Sequence, residues 1–185
     1  MVGNLTIQLP IFRVQAYNRC NMPILSAHSL EIISRSTEQT RRVGIRLGAM
    51  LKPGDVICLV GDLGAGKTTF VQGIAAGWGS LDPVTSPTFV LVNVYRRIDG
   101  QRLYHLDAYR ISGASEAEDL DLDTFLEKGP LVVEWADRIR PALPPEHMWA
   151  TLKWVDESQR DLVFSARGSR YQNMLAGFRK RVYGG

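Results

Sequence analysis

Cysteine is scarce in this 185-residue chain, with only Cys20 and Cys58, and Cys58 sits inside the apolar run VICLV. Two thiols so placed supply neither a disulfide framework nor metal-ligand spacing, and a reducing cytosol is the compartment that suits them. Long apolar runs are missing too. None approaches the roughly 18 to 20 residues that span a bilayer, so no membrane insertion is expected. No internal repeat or low-complexity tract is visible, and with 45% apolar residues the chain can build a proper core. Acidic residues are absent from two stretches, the first 30 residues and everything from Arg167 onward. The first stretch carries Arg13 and Arg19 and reads either as an organellar targeting segment or as a surplus extension ahead of a working chain that starts near Met22. The second carries Arg167, Arg170, Arg179, Lys180 and Arg181 and reads as a solvated basic tail or a helix. A net charge of +3 and a pI near 9.0 tolerate an acidic partner such as RNA without requiring one.

The length fits one domain. We divide the chain into an N-terminal extension (1–25), a P-loop domain (26–166) and a basic C-terminal tail or helix (167–185). HSLEIIS has the alternation of an edge strand. The helical period then takes over: Ser36 followed by Gln39 fits a capping box, Val43, Leu47, Met50 and Leu51 share a face, and Pro53-Gly54 is the stop. VICLV (56–60) is a short apolar run bounded by turn residues, as in a central strand covered on both faces. After the glycine loop, Phe70, Val71, Ile74, Ala75 and Trp78 recur at helical spacing until Gly77 and Gly79. Residues 88–107 read as a hairpin over Asp99-Gly100, 120–126 as one or two helices, LVVE as a buried strand, PALPPEH as a rigid loop, and WATLKWV with RDLVFSA as a second hairpin over DESQ. Hairpins beside a strand–loop–helix unit predict a single α/β P-loop NTPase domain, its sheet mixing parallel and antiparallel strands and flanked by helices.

Gly61-Asp62-Leu63-Gly64-Ala65-Gly66-Lys67-Thr68 matches the phosphate-loop pattern G-x-x-x-x-G-K-[ST]. Gly61, Gly64 and Gly66 let the backbone N–H groups turn inward as an anion nest, completed by the positive end of the following helix. Lys67 brings a point charge to the β- and γ-phosphates, Thr68 a hydroxyl suited to Mg²⁺, and Thr69 a contact to the α-phosphate. Mg²⁺ takes oxygen ligands, so a carboxylate is expected at a strand end beside the loop. Asp107 closes RLYHLD and Glu134 closes LVVE. Glu134 reads as a metal ligand or as the group orienting the attacking water; Asp107 reads the same way or as a turn cap. His105 shares a face with Asp107 and, standing alone, reads as a satisfied structural residue. VTSPTF (84–89) offers three hydroxyls, either a switch-like contact to the γ-phosphate or an ordinary polar turn. Trp135 either stacks on the base or packs.

Missing motifs narrow the class further. No N-K-x-D or T-K-x-D reader of guanine occurs, which favours ATP over GTP. ISGASEA is only a partial likeness of the LSGGQ signature, and no arginine-bearing lid of a nucleotide kinase can be located.

GDLGAGKTTF, SPTF, YHLDAYR and VVEW follow one another along residues 61–135, and together they resemble the TsaE family (also called YjeE). The resemblance spans about residues 30–166. It implies a small bacterial ATPase of tRNA threonylcarbamoyladenosine synthesis, with ATP and Mg²⁺ as cofactors. Ser86 and Thr88 would lie in its switch-type segment, and Asp107 and Glu134 would be its carboxylate pair, with Thr68, Glu134 and Asp107 around the metal and Lys67 on the phosphates. Trp135 would lie near the nucleotide, Ser36 or Thr37 near the adenine, and Arg160 matches an arginine often present in that turn. The implied partners are TsaB and TsaD, whose complex modifies adenosine 37 of ANN-decoding tRNAs, so that tRNA is met indirectly. A small-molecule phosphotransferase built on the same loop, and a nucleotide-dependent binding module with negligible turnover, are the other readings.

Overall fold

The computed structural model describes residues 29–85, 91–111, 116 and 119–184. Strands β1 (Ser29–Ser34), β2 (Val56–Val60), β3 (Val92–Arg96), β4 (Arg102–Asp107), β5 (Leu131–Glu134), β6 (His147–Trp154) and β7 (Arg160–Arg167) form one sheet in the order β1-β7-β6-β2-β5-β4-β3. The core β6-β2-β5-β4 is parallel, while β7, β1 and β3 join antiparallel at its two sides. The sheet is therefore mixed, as expected, and both hairpins form, the first over residues 92–107, with 88–90 outside the described residues. Parallel register brings the carboxyl ends of β2, β5 and β4 to one edge, so Val60, Glu134 and Asp107 stand side by side there, where open α/β sheets bind ligands.

Alternation along the central strands divides the core in two. Ile57, Leu59, Val132 and Leu103 face helices α1 (Thr37–Gly48), α2 (Lys67–Trp78) and α4 (Ser169–Tyr183). Val56, Cys58, Val133 and Leu106 face the other way, toward helix α3 (Leu122–Lys128) and the 3-10 turns Ala108–Arg110 and Ala136–Ala142. Helix α1 starts as its sequence suggests. Ser36 Oγ accepts from Gln39 N at 3.1 Å, and Gln39 Oε1 accepts from Arg35 N at 2.6 Å, one residue ahead of the usual capping-box partner. It stops at Gly48, short of Pro53-Gly54, because Met50 N and Leu51 N fold back onto Leu47 O and Gly48 O in a tightened last turn. Gly77 does not end α2. It stays inside the helix, where a Cβ would lie 2.0 Å from Ile45 O, so it serves the close crossing of α1 and α2; Gly79, at φ +94°, is the terminator. PALPPEH is not wholly a loop either, since its first two residues close the 3-10 segment Ala136–Ala142, which kinks at Ile139.

The basic C-terminus is a docked helix and not a solvated tail. Tyr171, Leu175 and Phe178, at i, i+4 and i+7, are buried in the same core as α1 and α2, and the cations occupy the remaining faces. Polar ties fix it. Val56 N donates to Tyr171 Oη at 2.7 Å, Arg170 pairs with Asp55 at 2.8 Å, Arg179 donates to Ser29 O at 2.6 Å, and Tyr183 Oη donates to Glu31 O at 2.6 Å. Burial pushes the Asp55 carboxyl up, opposed by the Lys52 backbone N–H and Arg170. No helix among the described residues is long and apolar enough to cross a membrane. The 1–25 extension lies outside the described residues.

Candidate functional site

The glycine loop takes the chain from β2 into α2. Gly61, at φ +146°, passes so close to β6 that a Cβ would lie 2.1 Å from Leu152 O, so a larger residue has no room. Ala65 N closes the turn onto Asp62 O at 3.1 Å, and Gly66, left-handed at φ +97°, opens α2 with no side chain capping its N–H groups. The amides of that first turn are therefore left to a ligand or to water. Leu63 is 87% exposed at the apex, and Asp62 is exposed beside it, so these two join the loop through backbone alone. Lys67 is buried, its Nζ donating to Gly61 O at 2.6 Å and Asp62 O at 3.0 Å and lying 3.6 Å from the centroid of the Trp135 ring. Burial lowers its pKa, and the charges of Glu134, Asp107, Asp62 and Asp137 oppose that shift.

Glu134 is buried at the end of β5. Thr68 Oγ1 donates to its Oε1 at 3.0 Å and lies 3.4 Å from Oε2, while His105 Nε2 stands 3.0 Å from Oε1. Asp107 is its register neighbour on β4. The Asp107 carboxylate accepts from Tyr109 N at 2.9 Å, so it does cap the following turn while standing next to Glu134. Its pKa is raised chiefly by burial, with the like charge of Glu134 adding to the shift and the Tyr109 N–H opposing it. Trp135 adopts φ +56°, ψ +39°, a conformation unusual for an aromatic residue, which turns its ring over Lys67 and against Tyr109, 5.0 Å between centroids. It packs on the lysine that the sequence assigns to the phosphates.

A cleft of about 320 Å³ continues from the loop and is lined by Thr37, Gly64, Gly66, Thr69 and Arg160, which gathers the residues assigned to the nucleotide from three separate segments. Arg160 is held by the hairpin turn, donating to Asp156 O at 2.6 Å and Gln159 O at 3.0 Å. Arg35, Glu157 and Ser158 also line this cleft, and sequence reasoning missed them. Glu157 and Ser158 sit at a hairpin tip, where no periodicity marks a residue; their only signal was adjacency to Arg160. Tyr95 was missed as well, and His105 was read as structural, yet His105 joins Glu134 directly and Tyr95 Oη stands 3.0 Å from His105 Nδ1. Ser86 and Thr88 lie outside the described residues.

Residues 34–162 match the family model described as "Threonylcarbamoyl adenosine biosynthesis protein TsaE". The tRNA threonylcarbamoyladenosine biosynthesis protein TsaE of Bacillus subtilis (strain 168) is 43% identical over 137 residues, covering 73% of this chain and 84% of that protein. Its namesake from Nostoc sp. is 40% identical over 152 residues, covering 79% and 91%. The one from Streptomyces coelicolor is 50% identical over 99 residues, covering 52% and 67%. Among solved structures, that of Bacillus subtilis YdiB superposes with a TM-score of 0.69 at 35% identity, over 83% of this chain and 96% of that one. With a family model spanning the glycine loop, both carboxylates and the cleft, and with relatives at 43% and 40% identity matched over 84% and 91% of their length, the chain belongs to the TsaE family of threonylcarbamoyl adenosine biosynthesis proteins.

Proposed function

We propose that this chain is a cytosolic, Mg²⁺-dependent ATPase that serves the TsaB–TsaD complex in threonylcarbamoylation of adenosine 37 of ANN-decoding tRNAs, reaching tRNA through that complex. The observation that carries the ATPase reading is the 3.0 Å contact between Thr68 Oγ1 and Glu134 Oε1, made at the carboxyl edge of the sheet directly beside the glycine loop. A hydroxyl and a carboxylate so paired, with Asp107 beside them, form the oxygen donor set that Mg²⁺ takes. Thr68, Glu134 and Asp107 would hold the ion, which when bound supplies charge neutralisation at the phosphate oxygens.

The chain's own residues do the rest. Lys67 exchanges its two loop carbonyls for β- and γ-phosphate oxygens, and the amides of the first turn of α2 receive the phosphates. Thr37, Thr69 and Arg160 line the path that the nucleoside follows. Trp135 shields Lys67 from water, which strengthens its attraction for phosphate. Glu134 and Asp107 orient the water whose oxygen attacks the γ-phosphorus as the bond to ADP breaks. Turnover in the isolated chain is slow, and the partner complex raises it by favouring the competent arrangement.

The deciding assay is phosphate release with and without purified TsaB and TsaD. Stimulation by the pair that disappears in Lys67→Ala and Glu134→Ala is the expected result; phosphate transfer to a small acceptor in the absence of any partner overturns it.

A further inference from the structure

Glu134 is not held by Thr68 alone. An ionised carboxylate only accepts hydrogen bonds, so the imidazole nitrogen 3.0 Å from its Oε1, His105 Nε2, must carry the proton of that contact. In a neutral ring Nδ1 is then an acceptor, and Tyr95 Oη stands 3.0 Å from it. Burial pushes the Tyr95 hydroxyl above its ordinary pKa and keeps it a donor. That hydroxyl has one proton and two acceptors within reach, His105 Nδ1 at 3.0 Å and Thr85 O at 3.4 Å. The acceptor Nδ1 decides the choice, because Tyr95 Oη is the donor placed against it, while Thr85 O accepts from Asn93 Nδ2 at 3.2 Å. With the ring neutral, the arrangement Asn93 to Thr85, Tyr95 to His105, His105 to Glu134 satisfies every group, whereas a doubly protonated ring would reverse the Tyr95 contact.

The sheet enforces this geometry. Asn93 and His105 are register partners across β3 and β4, Tyr95 follows two residues along β3 on the same face, and the His105 side chain is wholly buried. A histidine that merely filled the core would end on backbone; this one ends on the carboxylate at the reacting centre.

We infer that His105 and Tyr95 are positioning residues, which fix the rotation of the Glu134 carboxylate by directing a single chain of donors onto its Oε1. This rests on the ATPase reading above. Fixing Oε1 leaves Oε2 as the freer oxygen of Glu134, 3.4 Å from Thr68 Oγ1 and available to the ion or the attacking water. The chain of donors starts at Tyr95 Oη, which Asn93 Nδ2 approaches at 3.5 Å.

The test compares the full chain with Tyr95→Phe, His105→Asn, His105→Gln and the double variant Tyr95→Phe/His105→Asn. Each is measured for ATP turnover with TsaB–TsaD, for ADP binding, and by ¹⁵N NMR of the histidine rings. His105→Asn is expected to lower kcat by about 10 to 100-fold, the usual cost of losing an outer-shell partner, with ADP affinity unchanged. His105→Gln, whose amide can donate near the Nε2 position, recovers part of that loss. Tyr95→Phe gives a smaller loss, and the double variant is no worse than His105→Asn, because Tyr95 acts through the ring. Wild-type His105 should show the Nε2–H tautomer, with a Nδ1 resonance that moves in Tyr95→Phe. A wild-type ring with a proton on Nδ1, as the Nδ1–H tautomer or as imidazolium, additive losses, or an unchanged kcat in both Tyr95→Phe and His105→Asn overturns the inference. The tautomer needs no turnover, so a wild type that binds ADP but hydrolyses nothing contradicts the ATPase reading while the NMR result still decides the hydrogen-bond chain. Should His105→Asn fail to fold, Tyr95→Phe, which deletes one oxygen, carries the same decision.

Discussion

The glycine loop and the Glu134 cluster lie side by side, but they are built in opposite ways. The loop is contiguous, running from Gly61 to Thr68, and everything it contributes is backbone or a neighbouring side chain. The cluster draws Thr68 from α2, Tyr95 from β3, His105 and Asp107 from β4, and Glu134 from β5; strand register brings the last four together, and the start of α2 adds Thr68. A contiguous site binds by local conformation, whereas a dispersed one positions by the sheet. Damage to each should therefore read out differently, binding for the loop and chemistry for the cluster.

The sharpest separation is between Lys67→Ala and Glu134→Gln. Removal of Glu134's charge should lower turnover by about 10² to 10⁴-fold, the span for a positioned acid–base group, with ADP affinity retained. Lys67→Ala should lower turnover by about 10² to 10³-fold and weaken nucleotide binding as well, which calorimetry with ADP and ATP checks. The scaffold breaks in a third way: Phe178→Ala, in the wholly buried centre of α4, should cost about 3 to 5 kcal/mol in denaturant unfolding while kcat of the folded fraction stays at the wild-type value. Ser36→Ala removes the N-cap of α1 at the mouth of the cleft and should cost about 1 kcal/mol, with a modest rise in KM for ATP.

The smallest effect belongs to the ion pair that joins the end of the α2 connection to β3. The Arg96 side chain and backbone N–H hold the Asp82 carboxyl down at about 2. A carboxylate lowered in the folded state adds stability above its unfolded pKa and loses it as pH falls through the folded value. Asp82→Asn should thus lower Tm slightly at pH 7, and the difference should close as pH falls from the ordinary carboxylate range to about 2.

The same contrast explains what could be read in advance. The loop, Glu134 closing LVVE and Asp107 closing RLYHLD are sequence patterns: an acid after three apolar β-formers in LVVE is hard to explain as packing, while a strand-end Asp reads as a ligand or as the turn cap that Asp107 also proves to be. Both hairpins and the mixed sheet follow from turn residues and period. Tyr95 and His105 could not be paired from the sequence, since their contact depends on the register of β3 against β4, which no single stretch encodes. Helix α4 was obscured for another reason: its cations outnumber its buried residues, and Tyr171, Leu175 and Phe178 reveal a helical stripe only when spacing is weighed ahead of charge. Gly77 likewise looks like a helix stop until the crossing with Ile45 shows what its missing side chain is for.

The most direct test of the central claim is single-turnover ATP hydrolysis by the wild-type chain and by Glu134→Gln, each with TsaB–TsaD and Mg²⁺ and with nucleotide occupancy measured in the same samples. Equal occupancy with hydrolysis in the wild type alone is the predicted result. Equal hydrolysis in both would place the reacting centre away from Glu134 and contradict the account.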